Sequence, residues 1–365
     1  MASLAWTYHR QHQFKEAEEL EVVVADKRRK ILGEDHPDTL RATSNLAWTY
    51  CEDGRFKEAK ELQFVVLKKQ RKILGEGHPD TLWTMGNLAL TYEKLGKLKE
   101  AEELEVVVLD KRRKLLGEDH PDTLWTTVYL ASTYQKQGRF KEAEKLLVVV
   151  LEKRWKMLGE DHPDTLQAMG NMAWTYQTQG RLQEAQELVI VLLEKQRKIL
   201  GEDHADTLRT MGNLAVTYYK QGKFKEAEEL QIVVLEKHRK VLGEDHPDTL
   251  QIMVALAVTF KELSRVKEAE ELEVVALEKR RKILGEDHPE TVQAMANLAW
   301  TYHNQGHFKK AEELQIVVLE KQRNILGAGH ADTLQAMTTE RETLGGPSAT
   351  ERVPKLEDGS RRQAE

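Results

Sequence analysis

Eight histidines that recur at a constant interval are the first candidates for chemistry in this sequence. Each follows the last by 42 residues, and they stand at His36, His78, His120, His162, His204, His246, His288 and His330. Histidine is a common zinc ligand, but zinc takes several ligands about 2 Å from one point. Helices pack about 8–10 Å apart, so one histidine from each repeat cannot converge on a shared ion. The spacing predicts no metal site, and we interpret the histidines as parts of turns that begin helices.

Other patterns that carry chemistry are missing from the sequence. A nucleotide site would need a glycine-rich loop such as G-x-x-x-x-G-K-[ST], and metal chemistry would need C-x-x-C or H-E-x-x-H. None of these motifs occurs. No Ser/His/Asp group and no carboxylate pair stands apart from the repeats. We therefore expect a chain with no enzymatic activity, no cofactor and no bound metal.

The repeat that begins at Asp122 shows which elements surround each histidine. Apolar residues between Leu124 and Tyr134 recur at the spacing expected for one face of a helix. Gly138 predicts the end of this helix, in the left-handed conformation that glycine adopts readily. A second apolar pattern begins at Phe140 and predicts a helix of about 19 residues. Each repeat is therefore a helix–turn–helix, and the constant period predicts that successive repeats stack.

The repeat array is predicted to fill residues 1–337, with a truncated first repeat. Residues 4–8 read Leu-Ala-Trp-Thr-Tyr and match the second half of a first helix, so the array begins within a repeat. Residues 338–365 are predicted to hold the end of the last helix and a disordered polar tail. Ser264 stands where other repeats have the turn glycine, and it should cost about 1 kcal/mol if the turn is left-handed.

Composition limits the partners and the compartment of the chain. It has 61 acidic and 55 basic residues, for a net charge of −6, which gives no general attraction to nucleic acid. The single cysteine, Cys51, fits a reducing compartment, and no apolar run approaches the length of a membrane span. Basic clusters such as Lys111–Lys114 end the second helices, where cations complement the helix dipole. We expect a cytoplasmic protein that binds neither nucleic acid nor a membrane.

The segment from Asn45 to Ala59 reads Asn-Leu-Ala-Trp-Thr-Tyr-x-x-x-Gly-x-Phe-Lys-Glu-Ala and resembles a tetratricopeptide repeat. The 42-residue period, with Leu-Gly-x-x-His-Pro-Asp-Thr, resembles the kinesin light chain subtype. The resemblance implies an all-α fold, a right-handed superhelical α-solenoid of about eight tetratricopeptide helix–turn–helix repeats. Similar arrays follow NTPase domains in fungal and bacterial signalling proteins. The sequence departs from the family at Glu105 and Gln231, where a large aromatic residue is usual.

The first helix of each repeat has a second face, opposite its core-facing residues. The resemblance implies that this face lines the concave groove of the superhelix. Asparagine offers both a donor and an acceptor to an extended peptide, and tryptophan combines a large apolar area with a polar N–H. The predicted peptide-binding residues are Asn45, Trp48, Trp83, Asn87, Asn171, Trp174, Asn213, Asn297 and Trp300.

These residues predict a non-catalytic scaffold that binds a peptide or a partner protein in the groove. An alternative is the regulatory or sensor region of a larger signalling NTPase, whose catalytic domain would lie upstream. A third interpretation is a structural spacer without a groove ligand. The residues also have a structural interpretation, in which the asparagines bond only water or a neighbouring helix and the tryptophans pack between adjacent first helices.

Overall fold

The computed structural model describes residues 4–5, 7–8 and 13–326, and helices dominate this part of the chain. From residue 13 onward the described chain forms fifteen α-helices and no strand. They are α1 (Phe14–Leu32), α2 (Pro37–Glu52), α3 (Phe56–Ile73), α4 (Pro79–Lys94), α5 (Leu98–Leu116), α6 (Pro121–Lys136), α7 (Phe140–Leu158), α8 (Pro163–Thr178), α9 (Leu182–Leu200), α10 (Ala205–Lys220), α11 (Phe224–Val241), α12 (Pro247–Glu262), α13 (Val266–Leu284), α14 (Pro289–Asn304) and α15 (Phe308–Leu326). The predicted tail, residues 338–365, lies outside the described residues.

Even-numbered helices are the first helices of their repeats and are called A helices here, and odd-numbered helices are the B helices. A histidine caps the start of every A helix from α2 to α14. In α6, the Nδ1 atom of His120 accepts a hydrogen bond from the backbone N–H of Asp122 at 3.1 Å, and Pro121 occupies the first helical position. The same cap, at 3.1–3.3 Å, precedes the other six A helices. The interpretation of the histidines as helix-starting turns is confirmed for these seven, and His330 lies outside the described residues.

The turn between the A and B helices of a repeat depends on one left-handed residue. Gly138 has φ 77°, and the backbone N–H of Arg139 donates to the carbonyl of Tyr134 at 2.8 Å, which satisfies an otherwise unpaired carbonyl at the end of α6. Ser264 takes the same role with φ 61°. The condition under which serine is costly at this turn is therefore met.

The chain divides into two compact units, an N-terminal unit (Met1–Leu188) and a C-terminal unit (Val189–Glu365), with the boundary inside α9. In the N-terminal unit each helix from α1 to α8 contacts the next, and α4 also contacts the A helices on both sides, α2 and α6. In the C-terminal unit each helix from α10 to α15 contacts the next. Contacts between neighbours in sequence define an all-α repeat solenoid.

Small residues allow the A and B helices to approach closely. In the N-terminal unit, Ala131 of α6 and Ala143 of α7 are fully buried, and Leu147 and Met172 pack around them. Burial at these positions follows the apolar spacing seen in the sequence. None of the described helices combines the length and the apolar character that a membrane-spanning segment requires.

Candidate functional site

The A helices expose large aromatic side chains on the face opposite their buried residues. Trp83, Trp174 and Trp300 keep 49%, 43% and 50% of their surface exposed, although each is surrounded by buried residues in sequence. The three residues lie on α4, α8 and α14. We call this side of the A helices the A-helix face. Trp83 and Trp174 belong to the N-terminal unit, and Trp300 belongs to the C-terminal unit.

Two tryptophans meet across adjacent A helices in the N-terminal unit. The ring centroids of Trp48 on α2 and Trp83 on α4 are 6.4 Å apart, at an interplanar angle of 48°. Trp48 is half-buried in this contact, whereas Trp83 stays half-exposed. Tryptophans therefore do pack between adjacent A helices at this pair, as the structural interpretation of these residues expects. The contact still leaves about half of the Trp83 surface exposed.

Two further aromatic residues extend the A-helix face on α6. The ring centroids of Trp125 and Tyr129 are 6.2 Å apart, and the guanidinium of Arg154 lies 4.9 Å from the centre of the Trp125 ring. Burial, followed by the nearby carboxylates of Glu52 and Glu93, raises the pKa of the Tyr129 hydroxyl. Tyr129 occupies the position of the predicted asparagines, so an aromatic residue continues the face there.

The predicted asparagines differ in their exposure. Asn45 and Asn213 are exposed, while Asn171 and Asn297 are half-buried. Asn87 is only 6% exposed, and its Nδ2 atom is buried without a hydrogen-bond partner. Its helix, α4, contacts A helices on both sides, and we attribute the burial of Asn87 to this packing. Asn171 belongs to the N-terminal unit and Asn213 to the C-terminal unit.

Buried carboxylates at the junctions between repeats were not predicted. Glu105 of α5 is 3% exposed, its Oε2 atom has no hydrogen-bond partner, and desolvation raises its pKa to about 8. Glu273 holds the equivalent position in α13 and is also buried, but it bonds the Lys261 ammonium at 2.8 Å and the Thr301 hydroxyl at 2.6 Å. The sequence analysis signalled the Glu105 site only as a position where a large aromatic residue is usual, and it did not single out Glu273.

The basic clusters at the ends of the B helices contact neighbouring repeats. Lys153 of α7 forms ion pairs with Glu118 at 3.0 Å and Asp119 at 2.6 Å, in the loop that precedes α6. Arg154 is buried and donates to the backbone carbonyl of Asp164 at 2.8 Å. Part of each cluster is thereby neutralised or buried within the array, which agrees with a structural role for these cations.

Four arginines join successive repeats through a contact that the sequence analysis also missed. Arg139 follows the turn after α6 and bonds Glu102 of the preceding B helix at 2.7 Å and Glu142 of its own B helix at 2.6 Å. Its guanidinium lies 4.0 Å from the centre of the Tyr134 ring. A glutamate 37 residues before an arginine was the available signal, since this spacing places the pair across one junction.

Among the described residues, no group of three or more His, Cys, Asp or Glu side chains could hold a metal ion. Several carboxyl groups with shifted pKa values, such as Glu105 and Glu102, contact a neighbouring repeat. The A-helix face instead presents indoles, amides and a phenol. These groups are suited to binding a polypeptide.

Comparison with protein families identifies the repeat. The tetratricopeptide repeat family matches eight consecutive segments, residues 1–38, 39–80, 81–122, 123–164, 165–206, 207–248, 249–290 and 291–332. No curated protein sequence matches the chain at a significant level.

Several solved structures are similar to this chain. A Podosopora anserina protein assigned as a kinesin light chain, with nearly identical TPR-like repeats, is 34% identical, with a TM-score of 0.52 over 57% of this chain and 98% of that one. BtubC from P. vanneervenii is 22% identical, with a TM-score of 0.55 over 63% of this chain and 92% of that one. The quorum sensor NprR from B. thuringiensis is 16% identical, with a TM-score of 0.68 over 88% and 86%, and shares the fold. The chain belongs to the tetratricopeptide repeat family, and its repeats are of the kinesin light chain-like type.

Proposed function

We propose that the chain is a non-catalytic scaffold that binds an extended peptide, free or within a partner protein, on its A-helix face. The observation that carries the proposal is the exposure of the tryptophans on that face. Trp83 and Trp174 leave close to half of their surface in solvent. Indole side chains contribute strongly to protein interfaces when they become buried, because they remove a large apolar area from water and retain a polar N–H.

The N-terminal unit offers the richer binding surface. It carries the Trp48–Trp83 pair, the Trp125–Tyr129 pair and the exposed Trp174. The aromatic rings provide area for apolar side chains of a peptide. The rings do not fix the register of the peptide, because that requires directional hydrogen bonds.

Amides between the aromatic residues can supply those hydrogen bonds. Asn45 precedes Trp48 by three residues and Asn171 precedes Trp174 by three, so each amide lies on the same side of its helix as the indole. An exposed or half-buried amide can bond a peptide N–H and a peptide carbonyl at once. The alternation of amide and indole favours an extended ligand over a globular surface.

The proposal is tested by identifying a ligand and then altering the A-helix face. We would capture partners with the full chain, map the bound segment as a synthetic peptide, and measure its Kd with the Trp83→Ala and Trp174→Ala variants. Each substitution is expected to weaken binding by about 2 kcal/mol, as expected of an aromatic anchor.

Trp155→Ala provides the matched control. Trp155 is more exposed than the other two tryptophans, but it lies on the B helix α7. Its removal should leave the Kd unchanged. Equal losses for all three variants, or losses of melting temperature without losses of affinity, would contradict binding on the A-helix face.

A further inference from the structure

The junction of Arg139 has three close counterparts. Arg55, Arg181 and Arg265 each bond a glutamate of their own B helix and a glutamate of the preceding B helix, and each guanidinium stacks 4.1–4.2 Å from an aromatic ring centre. We call this arrangement the arginine junction. It neutralises the guanidinium on two sides and covers it with an apolar ring, which is the geometry that arginine favours.

The preceding glutamate accompanies the arginine through the sequence. Glu102 stands 37 residues before Arg139, and the other three arginine junctions keep the same interval. Where a lysine replaces the arginine, the glutamate is also replaced. Lys60 stands before Lys97, and Gln186 stands before Lys223. At these six junctions, the glutamate is present where the later residue is an arginine and is replaced where the later residue is a lysine.

Glu270 of α13 breaks this correspondence. The residue 37 positions later is His307, and Lys310 replaces the glutamate that would belong to the following B helix. No hydrogen bond or ion pair joins Glu270 to another described residue. Glu270 therefore provides the carboxylate of an arginine junction in the C-terminal unit, but His307 stands at the position of the arginine.

An amide acceptor at the same junction also lacks its donor. In the arginine junctions of Arg139 and Arg181, the guanidinium donates to the Oε1 atoms of Gln137 and Gln179 at 2.9 and 3.0 Å. Gln305 is the equivalent residue before His307. Its Oε1 atom is buried and has no hydrogen-bond partner. Burying an unpaired acceptor is unfavourable, so a donor at this point would stabilise the site.

Glu270 and Gln305 both line a solvent-open cleft in the C-terminal unit. The cleft has a volume of about 970 Å³, and its wall includes Glu270, Glu271, Val274, Gln305 and His307. The cations nearby are already engaged or exposed. Arg265 is paired with two glutamates, Lys267 points to solvent, and Lys310 lies 5.0 Å from the centre of the Tyr302 ring.

We propose that this cleft binds an arginine side chain supplied by another protein. The carboxylate of Glu270 and the Oε1 atom of Gln305 correspond to the two acceptors that hold one guanidinium nitrogen in the Arg139 junction. Arginine presents five donors in a planar fork, whereas lysine presents a compact ammonium that cannot reproduce this fork. The site lies at the edge of α13 and is separate from the A-helix face, so it adds a second point of attachment to the proposed scaffold.

The proposal is tested with the full chain and the tripeptide acetyl-Gly-Arg-Gly-amide, measured by calorimetric titration. Acetyl-Gly-citrulline-Gly-amide, a neutral peptide of the same shape, and the lysine peptide are matched controls. We expect the arginine peptide to bind at least tenfold more tightly than either. Glu270→Gln should remove this preference, while Glu228→Gln, the same change at an occupied arginine junction, should retain it. Equal binding of the three peptides, or a preference that survives Glu270→Gln, would overturn the proposal.

A second variant tests the site without relying on a weak ligand. His307→Arg combined with Lys310→Glu reproduces the residues of the Arg139 junction, with Tyr302 and Gln305 in the places of Tyr134 and Gln137. The new arginine should occupy the cleft, raise the melting temperature and abolish binding of the arginine peptide. A double variant that folds with an unchanged or lower melting temperature, or that still binds the peptide, would show that the cleft does not accept a guanidinium.

Discussion

The two compact units bury a glutamate at the same position of a B helix and stabilise it in different ways. Glu273 of the C-terminal unit pairs with Lys261, which lies 12 residues earlier on the A helix of the same repeat. Glu105 of the N-terminal unit has Glu93 at that position, and its pKa rises to about 8. Burial alone therefore does not set the state of such a carboxyl group. Desolvation is the main cause of the raised pKa of Glu105 and the Glu93 carboxylate adds to it, whereas Lys261 gives Glu273 an ion pair.

Removing the cation from the C-terminal pair should have the largest effect on stability. Lys261→Met leaves Glu273 buried without its partner, and we expect a loss of about 3–5 kcal/mol in the free energy of unfolding. Chemical denaturation measures this loss. Adding Glu273→Gln should recover most of it, since glutamine stands at this position in α3 and α11. A double variant as unstable as Lys261→Met would show that the lysine acts through packing alone.

Removing the charge from the N-terminal site should stabilise the protein. The folded pKa of Glu105, about 8, lies above the ordinary value of 4.5, so the folded state binds an extra proton between these pH values. Stability is therefore lost as the pH rises from about 4.5 to about 8. Glu105→Gln carries no proton to lose, and at pH 9 it should gain about 2–4 kcal/mol relative to the natural chain.

Denaturation across the pH range provides the comparison for Glu105. The difference between the Glu105→Gln variant and the natural chain should shrink toward zero near pH 4. Glu103→Gln, on the exposed side of the same helix, should show no such dependence. A gain for Glu105→Gln that is the same at pH 4 and pH 9 would refute the protonated carboxyl group.

The units should also differ in how much their tryptophans contribute to ligand binding. The Lys261 ammonium already lies 4.7 Å from the centre of the Trp300 ring, whereas the exposed side of Trp83 faces solvent. We expect Trp83→Ala to weaken a groove peptide by about 2 kcal/mol and Trp300→Ala by less than about 1 kcal/mol. Titration of the mapped peptide measures both. A larger loss for Trp300→Ala would place the main contact in the C-terminal unit.

The expected effects of the asparagines are smaller than that of Trp83→Ala. Asn171→Ala and Asn213→Ala should each weaken the peptide by about 1–2 kcal/mol while leaving the melting temperature nearly unchanged. Asn87 is the internal contrast because it is buried with an unpaired Nδ2 atom. Asn87→Ala should change stability and leave peptide affinity alone. Measuring affinity and melting temperature on all three variants separates a binding role from a packing role.

The sequence predicted the helices and their turns because those depend on local residues. The cap at His120, the left-handed Gly138 and the unusual Ser264 follow from residue type and spacing within one repeat. The apolar period also placed Trp83 and Trp174 on the face opposite the core. These predictions needed no knowledge of how one repeat meets the next.

The junctions between repeats were beyond the sequence reasoning. Helical spacing assigns Glu105 to the packed side of α5, but it does not show which side chain of the neighbouring helix lies beside it. Helical spacing also placed Asn87 on the exposed face, because it does not show where a neighbouring helix packs. The burial of Asn87 accompanies the contacts of α4 with A helices on both sides. The pairing of Glu102 with Arg139 is the exception, because its constant interval of 37 residues was visible in the sequence and was missed.

The constant interval of the arginine junction has a consequence for how the gene can gain or lose repeats. Removing residues 162–203, one period, would bring Glu144 to the correct distance before Lys223, which keeps opposite charges at the new junction. Removing residues 78–119 would instead bring Lys60 before Arg139, which places two cations together. Recombination between nearly identical repeats is therefore not equally tolerated at every position. The charges at the junctions make some changes in copy number less favourable than others.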